Sequence, residues 1–496
     1  MVRILFEASI IGYAQADVLA RTGIYNVSSQ LLKALRRIPG VDISLAYQPC
    51  WHEGVLAYLR AEGMADLIGK PPYAGPEPLH VLSPYYGMDI EALGNPAAHD
   101  WQIVHDLLPV LYPELFPPFY ERDFTHKILG PLRPQTQVVC VSEHTRRDFL
   151  SLYPGSRDRT HVNLSAADAR FFRTPAPAEI AATLEKYGIP PDVPYVLSVG
   201  TLEPRKNMEA VIDGFAAYLA GGGDGVSLVL TGAAGWGSEQ LQRRLAESPE
   251  LRERVTITGY VDDDDLPCLY AGALAFFYMS FYEGFGLPPL EAMACGCPVV
   301  TSDRSSLPEV VGDAGFLLDP NDIAGIARLI GDFRSGREDR AVWAERARRR
   351  AATFSWDAAA ARLVDAMRAL ETVKEPPPPV METGRCRVCG AAAEVCFGRA
   401  ATQSRPARRA LSCTTCGSLS LVDDAPQTDA PQPGDAAHAI ALIDRVDAAL
   451  HLCRVPRTEA MLATGADELP RRLLRERGYD AVAAADFAET VLLPHF

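Results

Sequence analysis

The chain has no stretch approaching the roughly 18 uninterrupted apolar residues that a membrane-spanning helix requires. Its first residues, MVRILFEASIIG, carry one basic residue and a short apolar run, not the layout of a secretory leader. Positive charge is in deficit: the formal net charge over 496 residues is −15, spread along the sequence instead of gathered in blocks. A general nucleic-acid binder needs a basic footprint, so nucleic acid is excluded as a partner. No repeat of solenoid length is present. Of eleven cysteines, seven are scattered through core-like or loop-like sequence, which suits a reducing compartment. These absences lead to the expectation of a cytoplasmic protein, and at ~100–200 residues per domain the length predicts three or four domains.

What is present is alternation. Short apolar runs (VRILFEA, VDISLAY, HVLSPYY, WQIVHD and QVVCVS) are separated by longer segments, among them the amphipathic TGIYNVSSQLLKALRRI. From residue 195 the scheme repeats with YVLSVG, VSLVLTG, RVTITGYV, ALAFFYMS, CPVVTSD and AGFLLDP. Runs apolar on both faces are what strands of a covered parallel sheet require. The fold class is therefore α/β, with two doubly wound Rossmann-like domains. Pro175, Pro177, Pro190, Pro191 and Pro194 mark a linker between them. Ser355 is placed to cap a helix, FSWDAAAARLVDAMRALE, and the spacer KEPPPPV ends the unit.

Open α/β sheets bind ligands at the C-terminal ends of their strands, and three loops of the second unit carry chemistry there. In GTLEPRKN, Gly200 permits a sharp turn and Arg205 and Lys206 follow it. Two adjacent cations suit a diphosphate, Arg by forking two oxygens and Lys as a point charge; solvated surface charges are the plainer reading. In SFYEGFGLPPLEAMACGCPVV, Gly284 and Gly286 bracket Phe285, and Leu287, Pro288 and Pro289 open a helix. Bare N–H groups and a helix N-terminus make an anion site. Glu283 and, eight positions later, Glu291 are good acceptors for sugar and ribose hydroxyls, though a dipole-balancing Glu291 and a surface Glu283 would also fit. In GYVDDDDLPCLYAGA, four aspartates between a strand and a helix read as caps and dipole partners in preference to a metal site.

In the first unit, His105 and Asp106 end the strand WQIVHD and face the cleft between units. His105 is placed to hydrogen-bond a sugar; a satisfied histidine at a helix entrance is the alternative. Gly23, which opens the first long helix, lets backbone approach a phosphate.

The segments RTGIYNVSSQLLKAL, HDLLPVLYPELFP, VVCVSEHTRRDFL, SVGTLEPRKN, LVLTGAAGW, ITGYVDDDDLPCLYAGA and YEGFGLPPLEAMACGCPVVTSDRSSLPEVVGDAG span residues 1 to about 370. As a set they resemble the retaining glycosyltransferases of family 4, with the two-domain fold called GT-B, and most of all the bacterial mannosyltransferase-like branch that builds surface polysaccharides. The resemblance implies a nucleotide diphosphate sugar as donor, with GDP-mannose first and UDP- or dTDP-sugars open. It implies a glycan or lipid-linked acceptor, which would bring the protein to the inner face of the membrane. Arg205 and Lys206 fall on the diphosphate, Glu283 and Glu291 on sugar and ribose, and His105 near the transferred sugar. Gly23, Gly200, Gly284, Phe285, Gly286 and Leu287 complete the donor site, and no metal is expected there. The implied boundaries are 1–173 for an acceptor domain, 190–353 for a donor domain and 354–372 for a helix crossing back. A nucleotide-sugar epimerase and a silent nucleotide-sugar-binding scaffold are the rivals. One departure stands out: the branch reads TGIGRY where this chain has Thr22-Gly23-Ile24-Tyr25.

After a proline-rich linker, 373–383, the composition changes. Residues 384–420 hold six arginines against one acid, Glu394. Cys386-x2-Cys389 and Cys413-x2-Cys416, each followed by glycine, predict one closed, structural zinc site of four thiolates in a module over 384–424. Iron remains open because the ligands are of the same type. The module's arginines point to protein contact or solvation. The pattern also resembles the zinc-binding segment that precedes some S-adenosylmethionine-dependent methyltransferases. Residues 435–496, expected to be helical, echo a truncated or degenerate start of such a domain, with only Gly465 of its glycine loop. Calorimetry with S-adenosylmethionine is therefore expected to register no binding to the full-length chain; saturable heats would require a working methyltransferase site.

Overall fold

A computed structural model describes residues 1–372 except 72, 74–76, 89, 91–92, 96, 117–119, 122–123, 234, 236–240, 242 and 246–247. Beyond 372 it describes the backbone of seven strands between 383 and 494. Cys386, Cys389, Cys413 and Cys416, and most of the proline-rich linker, lie outside the described residues.

Two six-stranded parallel sheets form the body. The first holds β1 (Val2–Glu7), β2 (Val41–Ala46), β3 (Leu79–Ser83), β4 (Ala98–Val104), β5 (Gln137–Cys140) and β6 (Thr160–Val162) in the order β2-β1-β3-β4-β5-β6. The second holds β7 (Tyr195–Val199), β8 (Ser227–Thr231), β9 (Val255–Gly259), β10 (Ala275–Tyr278), β11 (Val299–Ser302) and β12 (Phe316–Leu318) in the order β12-β11-β10-β7-β8-β9. Every residue of β7, β8, β10 and β11 is buried, as helices on both faces demand. In the second sheet the chain builds outward from β7 in one direction and then returns to lay β10 against β7 on the other side. The strand order thus reverses between β7 and β10, and at such a point the loops leaving the two strands diverge and leave a crevice.

The apolar runs read from the sequence correspond to eleven of these twelve strands; β6, only Thr160–Val162, has no such run. The expected linker contains a helix. Pro177 starts a helix, Pro177–Lys186, whose first N–H groups are served by Glu179 through a 2.9 Å bond from the Ala176 amide. Proline fits here because its missing N–H falls where a helix has no internal acceptor for it. The aspartate run departs from its reading. Asp265 holds the cap position of the Leu266–Gly272 helix but makes no capping bond. Its carboxylate, with that of Asp262, takes the Lys186 ammonium at 2.6 and 2.8 Å, and Asp264 takes Arg170 at 2.9 Å. The run ties the inter-sheet connection to the second domain.

The Trp356–Thr372 helix packs against the Gly23–Arg36 helix of the first domain. One apolar cluster runs from Ile4 and Phe6 through Leu31 and Leu35 to Val364 and Met367, and on to Leu197 and Phe276. At the helix's end, the Trp101 indole N–H donates to His80 Nδ1 at 3.0 Å, so His80 Nε2 carries the proton and donates to Glu371 at 3.2 Å.

The third sheet comprises β13 (Thr383–Arg385), β14 (Ala392–Arg399), β15 (Arg408–Ser412), β16 (Leu419–Asp423), β17 (Ala460–Thr464), β18 (Asp480–Ala483) and β19 (Val491–Pro494). Its order is β13-β14-β15-β16-β19-β17-β18. Where a helical tail was expected, the described residues are strands, with β17 parallel to β18. The helical periodicity came from the polar stretches between them, which lie outside the described residues, whereas MLAT, DAVA and VLLP are short apolar runs.

The helix 356–372 gives a direct test of what holds the two domains. Met367 is fully buried, so Met367→Ala should cost ~2–5 kcal/mol. The Arg37–Asp357 pair is more than half exposed on both sides, so Asp357→Ala should cost no more than ~1 kcal/mol. Thermal melts of the two variants should separate by several degrees; equal melts would mean the apolar seam is not what fixes the helix.

Candidate active site

The crevice between β7 and β10 is where the charged residues meet. After β7 the backbone turns at Gly200 (φ 155°) and closes a short 3-10 turn, Pro204–Lys206. Asn207 follows in the left-handed region (φ 51°), anchored by its side-chain amide to the Pro320 carbonyl at 2.8 Å. This turn aims Lys206 inward. Its ammonium, 9% exposed, donates to Glu283 Oε1 and to the Tyr278 hydroxyl, both at 2.7 Å. The Tyr278 hydroxyl in turn donates to Glu283 Oε1 at 2.7 Å, and Ser280 adds a third donor to the same oxygen at 2.5 Å. Arg205 lies 3.3 Å from Glu283 Oε2 and 2.7 Å from Glu203. Burial alone would raise the Glu283 carboxyl, but Lys206 and Arg205 outweigh it and hold it at about 2. Burial, with Arg205 beside it, lowers Lys206, against the pull of Glu283.

Glu291 stands in different surroundings. It lies inside the Leu287–Ala294 helix and takes a hydrogen bond from Tyr270 at 3.3 Å, and among the described residues no cation makes an ion pair with it. Burial, reinforced by the charge of Asp263, raises it to about 8. Gly286 (φ 112°) caps this helix, and the prolines occupy its first turn. Phe285 is buried against Phe354, ring centroids 5.9 Å apart, so only its backbone is turned to the loop. Leu287 reaches across to Gly23: a Cβ on Gly23 would lie 3.4 Å from the leucine methyl.

From the first domain, His105 Nε2 donates to the Pro84 carbonyl at 2.7 Å, and burial lowers its pKa to about 4, leaving a neutral ring with Nδ1 free to accept. A Cβ on Gly284 would fall 1.8 Å from the His105 carbonyl oxygen, so the two domains meet backbone to backbone here. Asp106, raised by burial, feels Arg205 as its main counter-charge.

The structure thus joins Arg205, Lys206 and Glu283 in one cluster, brings Gly284 against His105 and Leu287 against Gly23, and sets Glu291 apart. Asp106, placed at the cleft from sequence together with His105, lies near the cluster, and Tyr278, Ser280 and Glu203 complete it without having been singled out. Nor had Ser302, Ser305 and Ser306 been singled out. Ser305 accepts from the Glu283 amide at 2.9 Å, and Ser306 donates to the Glu283 and Phe285 carbonyls at 2.8 and 2.6 Å. The repeated serine in TSDRSSLPE was the available signal.

The two glutamates predict opposite pH effects. Glu291 in the folded state keeps a proton that the unfolded chain loses near its ordinary 4.5, so stability falls as pH rises from about 4.5 to about 8. Glu283 works the other way: its contribution is present above its ordinary 4.5 and is lost as pH falls toward about 2. Glu291→Gln should therefore raise the melting temperature relative to wild type at about pH 8 and much less at about pH 5. A difference independent of pH would mean that Glu291 is already ionised in the folded protein.

Residues 179–350 match the model of the glycosyl transferases group 1 family. The O-antigen chain mannosyltransferase B of Escherichia coli is 35% identical over 268 residues, 54% of this chain and 69% of that protein. The serotype-specific mannosyltransferase WbdA of Escherichia coli is 33% identical over 296 residues, 57% of this chain but only 35% of that much longer protein. Among solved structures, Anabaena HepE in complex with UDP superposes with a TM-score of 0.56 at 18% identity, over 74% of this chain and 100% of that one. That likeness speaks for the two-domain GT-B arrangement of the parallel sheets. With a relative this similar covering most of its own length, and with the charged cluster set at the sheet's reversal point, the chain belongs to the group 1 glycosyltransferases and is a sugar-transferring enzyme.

Proposed function

We propose that the enzyme is a retaining hexosyltransferase that takes mannose from GDP-mannose to a glycan or lipid-linked acceptor in surface polysaccharide synthesis. The observation that carries the reading is the pairing of Arg205 and Lys206 with Glu283 at the crevice between β7 and β10. Two cations fixed there before the donor arrives stabilise the charge that collects on a departing diphosphate, and removing one such group typically costs ~10²–10³ in rate. This charge is supplied by the protein, so no metal ion is required. The names of the relatives point to mannose and to O-antigen chains, and UDP in HepE shows a nucleoside diphosphate on the same fold.

Retention is what the resemblance to family 4 implies, and the surroundings of Glu283 bear on its route. A carboxylate held near 2 and bonded by four donors is a weak nucleophile. The anomeric C–O bond instead breaks with its electron pair going to the phosphate oxygen. The acceptor hydroxyl attacks from the same face and gives its proton to that oxygen. Glu291 then holds the ribose and His105 Nδ1 accepts from a sugar hydroxyl. For the C-terminal region, one structural zinc bound by Cys386, Cys389, Cys413 and Cys416 rests on their spacing alone.

Thermal melts with GDP, UDP and dTDP on wild type and Arg205→Ala test the donor reading. A ligand at ~100 times its Kd adds ~2.7 kcal/mol to the folded state. GDP should raise the wild-type melting temperature by several degrees and leave the variant unmoved. A shift with UDP alone would replace the donor, and no shift with any of the three would remove the transferase site.

A further inference from the structure

The turn that leaves β5 and enters the Glu143–Leu152 helix makes five hydrogen bonds to three residues of the donor domain. Ser142 and Thr145, both fully buried, donate to the Gly284 carbonyl at 2.6 and 3.0 Å. The Glu309 carboxylate takes the amides of Glu143 and His144, at the helix N-terminus, at 2.9 and 2.7 Å. Asp148 accepts from the Tyr282 hydroxyl. The loop from Ser280 to Phe285 gets its other backbone partners from its own domain: Ser302, Ser305 and Ser306 hold Ser280, Glu283 and Phe285. Among the described residues, Gly284 is the loop position whose backbone is held by side chains of the other domain. With the domains together that carbonyl has two donors, and apart from the first domain it loses both. With the domains docked, losing one of these hydroxyls leaves the buried carbonyl a donor short, which is costly, so the shape of the loop is tied to the side chains of the first domain.

We propose that Ser142 and Thr145 are positioning residues for sugar transfer, acting through the Gly284 carbonyl to fix Glu283 at the transferred sugar, with Glu309 locking their helix in place by charge at its N-terminus. The inference rests on the transferase reading, because it assigns Glu283 to the sugar. It gives the VSEHTRRDF segment a function: the first domain reports its docking to the loop that carries Glu283 to the transferred sugar. Nucleotide affinity, carried mainly by Arg205, Lys206 and Glu291, need not change when the report is lost, whereas turnover must.

Thr145→Val keeps the side-chain shape and removes the hydroxyl; Thr145→Ser restores it; Glu309→Gln keeps an acceptor and removes the charge. Ser142→Ala is the weaker probe, because Ser142 also caps its helix by accepting from the Thr145 amide. The readouts are calorimetric affinity for GDP, UDP and dTDP, nucleotide release from the matching sugar nucleotide with water as acceptor, and amide exchange of residues 282–287. Thr145→Val should lower kcat ~3–10-fold, the worth of one hydrogen bond, with nucleotide affinity within about twofold, faster exchange over 282–287, and recovery in Thr145→Ser. Glu309→Gln should move both readouts in the same direction by less. Unchanged exchange and kcat in Thr145→Val would overturn the proposal, as would affinity falling in step with kcat. A wild type that binds none of the three nucleotides would count against the transferase reading, while the exchange data would still decide whether Thr145 holds the loop.

Discussion

The structure depends on keeping a lysine and a glutamate charged in a place that little water reaches. Lys206 and Glu283 leave different strands, β7 and β10, which are neighbours only because the second sheet reverses direction between them. Taking either charge out of water alone costs several kcal/mol, and removing one partner of such a pair is strongly destabilising. Much of the surrounding architecture serves that need. Tyr278 and Ser280 crowd further donors onto Glu283, Arg205 covers its second oxygen, and serines from the β11 exit pin the loop's backbone. The crevice is consequently organised in advance: its cations are oriented by a protein carboxylate until a diphosphate takes over that counter-charge.

Glu283 and Glu291 show how little residue type decides by itself. They are the same side chain, eight positions apart on one loop and helix, and both are about nine-tenths buried. One has cations in contact and is held at about 2; the other has a tyrosine hydroxyl and a nearby aspartate and is raised to about 8. At neutral pH the first only accepts hydrogen bonds. The second carries a proton for much of the time and is able to donate as well, a flexibility suited to hydroxyls that themselves both donate and accept.

Local pattern made the fold legible, and topology hid part of the site. Buried parallel strands advertise themselves as apolar runs, so eleven of twelve were readable; β6 was not, because three residues at a sheet edge need no such run. Arg205, Lys206 and Glu283 were each recognisable from their loops, but their mutual contact was not, since it depends on β10 lying beside β7 after a crossover. Tyr278 and Ser280 were invisible for the same reason. The aspartate run misled because helix-start aspartates usually cap, and only the folded chain places Lys186 and Arg170 where they compete for the carboxylates. The helix inside the proline-marked connection was not read either, because a proline that ends one element is equally able to start another, as Pro177 does.

The backbone carries a separate signature of the same constraint. Among the described residues, two non-glycine positions have positive φ, Asn207 and Ser305, both at 51°. Each conformation costs about 1–2 kcal/mol for a residue with a side chain, and glycine would relieve it. Neither position is glycine, because each side chain makes a bond that glycine cannot. The Asn207 amide fastens the Lys206 turn to the end of β12, and the Ser305 hydroxyl receives the Glu283 amide. The two strained residues therefore flank the ion pair from its two sides, one behind the lysine and one against the glutamate. Strain of this kind persists only where surrounding contacts over-determine it, and here those contacts converge on the crevice where the donor's diphosphate is proposed to sit.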